Sequence, residues 1–174
     1  MRGRLPVLAL LGVAAVLLPG HSPYKQWYAY RAKHLVVVVD EGRPGAFEAA
    51  VAVASAVAAR WPESKAVPAL ARTPRDVVSL LVTGQLQVGL LSSADAADAA
   101  AGRGKFAGTA KVPLRAVAIV GSDVLVVLES YAPERAALIA RAVVESGAAG
   151  KASSSSPIPF HRGALEFYGR RSGD

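Results

Sequence analysis

The chain has 174 residues, 52% of them hydrophobic and 19% charged, enough length and apolar content for one packed domain and too much for a wholly disordered chain. It has no cysteine, which excludes disulfides, thiolate metal sites and a Cys nucleophile. Its net charge of +7 comes from 20 Lys and Arg spread along the chain, and the densest group, Arg103, Lys105, Lys111 and Arg115, lacks the aromatic interleaving of a nucleic-acid surface.

The start, Met1-Arg-Gly-Arg4, is basic, and an almost unbroken apolar run over 5–18 follows. This is the form of a secretory signal. The next charge after Arg4 is Lys25, so the uncharged stretch reaches the ~20 residues a spanning helix needs. Tyr24, Trp27, Tyr28 and Tyr30 then stand where interfacial aromatics sit beside a bilayer. Pro19-Gly20-His21-Ser22 makes a poor cleavage site, so 1–23 fits an uncleaved anchor better than a removed signal. Arg2 and Arg4 favour a cytoplasmic N-terminus, whereas Lys25, Arg31 and Lys33 in the 24–33 segment favour the opposite orientation.

From residue 34 strands and helices alternate. Leu35-Val-Val-Val-Val39 is a β-branched run, as in a strand covered on both faces. Residues 44–60 read as a helix burying Phe47, Val51, Ala54, Ala58 and Trp61. Residues 66–71 form a weaker strand, which Pro68 places at an edge or bulge. Thr73 is a good N-cap for the next helix, with Pro74 at its first position and Asp76 at its third. Val77, Leu80 and Leu81 give that helix its apolar face, and Gly84 ends it. Val88-Gly-Leu-Leu91 is a third strand, followed by an Ala-rich helix over 94–101. The succession predicts an α/β fold: a single three-layer domain over 34–146 with a mostly parallel sheet, preceded by the N-terminal hydrophobic helix.

Runs 114–120 and 124–128, split by Gly121-Ser122-Asp123, are either a tight hairpin or one bulged strand. Pro133 opens a helix with Leu138, Ile139, Ala142 and Val143 inward. Residues 147–156 have the composition of a flexible linker, and 157–174 hold a short helix expected to dock back on the domain.

The search for chemistry returns little. His21, His34 and His161 lack metal-ligand spacing, and there is no nucleophile elbow, Walker loop or dinucleotide fingerprint. No cofactor or metal is implied. Asp40-Glu41 ends the first strand, where turn formation and helix N-terminal charge explain the pair more economically than catalysis. The first-strand loop with Gly45 and Phe47, the Thr73 cap and the Ser92-Ser93 loop should share one sheet edge. With Arg43, Arg72 and Arg75 nearby, that edge would suit a small carboxylate. Thr73, Arg75, Ser92, Ser93, Gly45 and Phe47 are the candidate ligand-binding residues.

The stretch Ala71-Arg-Thr-Pro-Arg-Asp-Val-Val-Ser-Leu-Leu-Val-Thr-Gly-Gln-Leu-Gln-Val-Gly-Leu-Leu-Ser-Ser93 resembles the TAXI family of TRAP-transporter solute-binding proteins. Leu114-Arg-Ala-Val-Ala-Ile-Val120 is similar to the family's following strand, and His161-Arg-Gly-Ala-Leu-Glu-Phe-Tyr168 to its C-terminal signature. The resemblance implies one lobe of a type 2 periplasmic binding protein, on the periplasmic side of the bacterial inner membrane, and a small organic acid or amino acid as ligand. Three departures accompany it. The second lobe is essentially missing, Asp40-Glu41-Gly42-Arg43 replaces a hydroxyl-bearing loop, and Arg162 stands where the family has Pro. Two roles follow as expectations: a membrane-tethered, non-catalytic binding module, or an accessory subunit that uses the lobe to dock on a membrane protein.

Overall fold

The structure, a computed structural model, describes residues 23–149 and 155–171. The apolar run over 5–18 lies outside them. Helix α1, Pro23–Lys33, belongs to a separate N-terminal unit. Within it the Trp27 and Tyr30 rings stack at 5.7 Å, and the Arg31 guanidinium lies 5.4 Å above Trp27. Trp27, Tyr28 and Tyr30 are exposed. Among the described residues no helix is long and apolar enough to cross a membrane.

In the second unit, β1 (Val36–Asp40) shows why a Val run makes a central strand. Val37 and Val39 enter one core and Val36 and Val38 the other, because strand side chains alternate. Its neighbours are β2 (Val67–Ala71) and β3 (Val88–Ser92), both parallel to it. Beyond β3 come β5 (Asp123–Leu128) and then β4 (Leu114–Val120), giving the order β2-β1-β3-β5-β4. β5 runs antiparallel to both neighbours, so the sheet is mixed: parallel over β2-β1-β3 and antiparallel over β3-β5-β4. Pro68 fits its place on the edge strand. The Val67 amide donates to the Leu35 carbonyl, so by alternation position 68 faces the open side, where no ladder amide is needed.

Helices cover both faces. One core contains side chains of α2 (Ala46–Arg60), α5 (Pro133–Glu145) and α6 (Arg162–Arg171); the other contains those of α3 (Pro74–Val82) and α4 (Ser93–Ala101). The buried stripe of α2 differs from the expected one. Ala46, Ala50, Val53, Ala54 and Val57 face the sheet, while Phe47 and Val51 are 41% and 38% exposed. The small-residue stripe is the side that lets a helix approach a β-branched sheet closely, and it turns the larger side chains outward. In α3, Val78 is buried beside Val77 and Leu81, and Leu80 is only half-buried; in α5, Ala136 and Ala140 are buried and Leu138 is half-buried.

The 114–128 segment is a hairpin turning at Gly121-Ser122, with Gly121 at φ 61° as a two-residue hairpin turn requires, and it also carries a bulge between Ala116 and Ala118. The tail then covers the outer edge of β4. The Ala116 amide donates to the Pro159 carbonyl at 2.9 Å, and the His161 amide to the Ala116 carbonyl at 2.8 Å. From there α6 packs on α5, where Gly163 passes so close that a Cβ would lie 2.0 Å from the Pro133 carbonyl oxygen.

Candidate functional site at the carboxyl edge of the sheet

Three parallel strands deliver their carboxyl ends to one edge, and antiparallel β5 begins at the same edge with Asp123 opposite Ser92. This brings the loops before α2, α3 and α4 together, each with the first amides of a helix. Their side chains are engaged chiefly with one another.

At the α3 start, Thr73 Oγ1 accepts from the Asp76 amide at 3.2 Å and donates to the Asp76 carboxylate at 2.9 Å. Ser92 repeats the arrangement at the α4 start, accepting from the Asp95 amide at 3.1 Å and donating to its carboxylate at 2.8 Å. Both are N-caps with an acid at the third position, so each hydroxyl satisfies one helix-end donor and spends its own proton locally. Asp95 is buried and takes a second partner, the Lys105 ammonium at 2.8 Å. The Lys105 carbonyl in turn accepts from Arg75 Nε. Ser93 Oγ donates to the Ser122 carbonyl at 2.9 Å, tying the α4 start to the hairpin turn. At the first loop, Gly45 sits at φ 75° immediately before α2 and offers no side-chain cap, and Phe47 lies on the exposed side of that helix.

Arg43 is the organising cation. Its Nε donates to the Asp40 carboxylate at 2.8 Å, another nitrogen to Asp123, and a third to the Leu90 carbonyl at 3.4 Å. Asp40 and Asp123 are both buried, so one guanidinium serves two carboxylates taken out of water. Burial pushes the Asp123 carboxyl above its ordinary value, the Asp40 charge adds to the rise, and attraction to Arg43 opposes it without cancelling it. The Arg43 guanidinium is held more firmly protonated, because its bonds and attraction to the two aspartates outweigh its own desolvation. The edge therefore carries a buried acidic pair around an arginine already committed, a setting that disfavours a further carboxylate at this point.

The Asp40–Arg43 contact spans three residues and could have been suspected from the turn. Arg43–Asp123 spans 80 residues, and no local signal announces it. Asp123 becomes a partner only because the hairpin inserts β5 beside β3.

The third histidine lies away from this edge. His161 is buried, its Nδ1 accepts from the Gly163 amide at 3.2 Å, and its Nε2 donates to the Glu129 carbonyl at 3.3 Å. It fastens the tail to the end of β5. Among the described residues no group of three or more His, Cys, Asp or Glu could hold a metal ion. No family model and no curated protein matches the chain.

Proposed function

We propose that the chain is a membrane-tethered, non-catalytic docking module on the periplasmic side of the bacterial inner membrane. In this reading it is built like one lobe of a TAXI-type solute-binding protein, and its partner is a membrane protein. The observation that carries the docking role is the state of the carboxyl edge. Thr73, Ser92, Ser93, Arg43 and Arg75 all bond to groups of the fold itself. A site kept for a solute holds its polar groups ready for the ligand. The β4–β5 connection is a two-residue turn, so no second lobe is inserted there to close over a solute.

A surface for docking lies beside that edge. Phe47 and Val51 are exposed on the first turns of α2, and Leu70 is 51% exposed near the carboxyl end of β2. Val67 and Ala69 pack into the α3 side of the sheet, so Leu70 points to the α2 side. The apolar run over 5–18 and the exposed Trp27, Tyr28 and Tyr30 support tethering.

The second reading is a receptor lobe that still binds a small organic acid or amino acid through Thr73, Arg75, Ser92 and Ser93. It is favoured by the convergence of three helix starts on one edge. A photocrosslinking residue placed at Phe47 and at Leu70, followed by gentle extraction and mass spectrometry, separates the two. A stoichiometric membrane protein captured at both positions supports docking. A chain recovered alone that releases saturable heat with glutamate or 2-oxoglutarate, lost in Arg75→Met, overturns it in favour of the receptor.

A further inference from the structure

The cations run the length of the chain, but the acids that offset them do not. Five of the 20 Lys and Arg precede residue 40, whereas all 13 Asp and Glu stand at or beyond it. Arg2, Arg4, Lys25, Arg31 and Lys33 therefore supply five of the seven excess charges, and they flank the apolar run over 5–18. Residues 40–174 are close to neutral, with 15 cations against 13 acids. The first acid along the chain, Asp40, is buried and bonded to Arg43.

Helix α1 holds three of these five cations within 11 residues that include no acid. It also exposes three aromatic rings, of which Tyr28 is 71% accessible. Trp27, Tyr30 and Arg31 share a face through their three- and four-residue spacing. There the two rings stack at an interplanar angle of 10°, and the Arg31 guanidinium lies over Trp27. A basic helix that is merely solvated gains nothing from exposing indole and phenol rings. The headgroup layer of a bilayer suits both kinds of side chain, because such rings have an apolar body and a polar tip and the cations meet phosphates. The periplasmic side is also the one that Lys and Arg ordinarily avoid. Three cations kept there need an anionic counterpart.

We propose that α1 binds anionic phospholipid around the tether, with Trp27, Tyr28 and Tyr30 at headgroup level and the helix's positive charge drawing the acidic lipids in. This role rests on the tethered reading above and adds the class of lipid. A zwitterionic surface would accept the rings equally well but would offer the three cations no net attraction.

The test uses the full chain carrying Trp61→Phe, which leaves Trp27 as its sole tryptophan. It is reconstituted in vesicles of phosphatidylcholine and phosphatidylglycerol. Bromine, which quenches tryptophan on contact, is carried by one lipid at a time, at the same mole fraction of brominated lipid. Brominated phosphatidylglycerol should quench Trp27 about threefold more strongly than brominated phosphatidylcholine. That ratio should fall to near one at about 1 M salt, where the screening length is roughly 3 Å. It should fall likewise in the Lys25→Gln, Arg31→Gln, Lys33→Gln triple variant. Equal quenching by the two lipids in the chain with all three cations overturns the lipid selection and leaves the tether standing. Quenching by neither, in a chain that floats with the vesicles, overturns the headgroup placement and makes the aromatic face a contact for a protein. A chain that does not float with the vesicles overturns the tethered reading itself. A triple variant that keeps the preference overturns the assignment to these cations.

Discussion

Thr73 and Ser92 have the same bonds but different surroundings, and the difference should be measurable. Thr73 and its partner Asp76 are exposed, so Thr73→Ala loses one cap, about 1 kcal/mol. Ser92 caps through a buried Asp95, and Ser92→Ala leaves that carboxylate with Lys105 as its remaining side-chain partner. Its loss should therefore be larger, toward the ~2 kcal/mol upper end for caps. Urea midpoints at unchanged slope check the order, and equal losses would mean that the burial of Asp95 does not matter. Asp123 gives a prediction in pH. Its carboxyl is raised above 3.8, so the folded chain holds that proton more tightly than the unfolded one. Its contribution to stability is fully present below pH 3.8 and is lost as pH rises through the raised value. Asp123→Asn has no such loss, so the melting temperature of the variant minus that of the unaltered chain should grow with pH across the acid range and then level off. A difference that shrinks as pH rises would show that attraction to Arg43 outweighs desolvation.

At the level of elements, what the sequence reveals depends on whether a signal is local. The Val run of β1, the Thr73-Pro74-Asp76 helix start and the edge position of Pro68 are all fixed by neighbours within a few residues, and each can be read from the chain. The spacing points to the wrong face of α2, because Phe47 and Val51 keep helical spacing as well as Ala46, Ala50 and Val53 do. Periodicity alone does not say which of two adjacent stripes a Val-rich sheet will accept. At the candidate site the same division holds. The caps are local and legible, whereas Arg43–Asp123 arises only when the hairpin brings β5 beside β3. The α5–α6 crossing is another long-range feature, and it rests on one glycine. A Cβ at Gly163 would lie 2.0 Å from the Pro133 oxygen and 2.7 Å from its carbonyl carbon, backbone atoms that cannot rotate away. Gly163→Ala should destabilise by roughly 1–3 kcal/mol or more, as overpacking does, with α6 becoming the first segment cut in limited proteolysis. Unchanged stability would mean that the two helices can separate at no cost.

For the whole second unit, residues 155–171 act as the closing piece of the sheet. They bond to both backbone groups of Ala116 on β4, and Tyr168 donates to the Val117 carbonyl at 3.1 Å beside the bulge. They also place Ile158 in one core and Ala164 and Phe167 in the other, so the tail is shared by both faces. Burying a side chain such as Ile158 or Phe167 stabilises by roughly 1.5–3 kcal/mol each, against a total of about 5–15 kcal/mol for a domain. A chain ending at residue 154 should therefore lose about half its stability and expose the β4 edge, an unpaired row of amides and carbonyls that invites pairing between chains. The expected outcome is a lower denaturant midpoint together with association that depends on protein concentration, followed by sedimentation. A synthetic peptide of residues 155–171 should reverse both effects, whereas the same peptide with His161→Leu should not, because it loses the bonds from Gly163 and to Glu129. Rescue by the two peptides alike would show that backbone pairing and apolar burial seat the tail without the imidazole. Rescue by the first alone would show that the bonds of the His161 ring are needed as well.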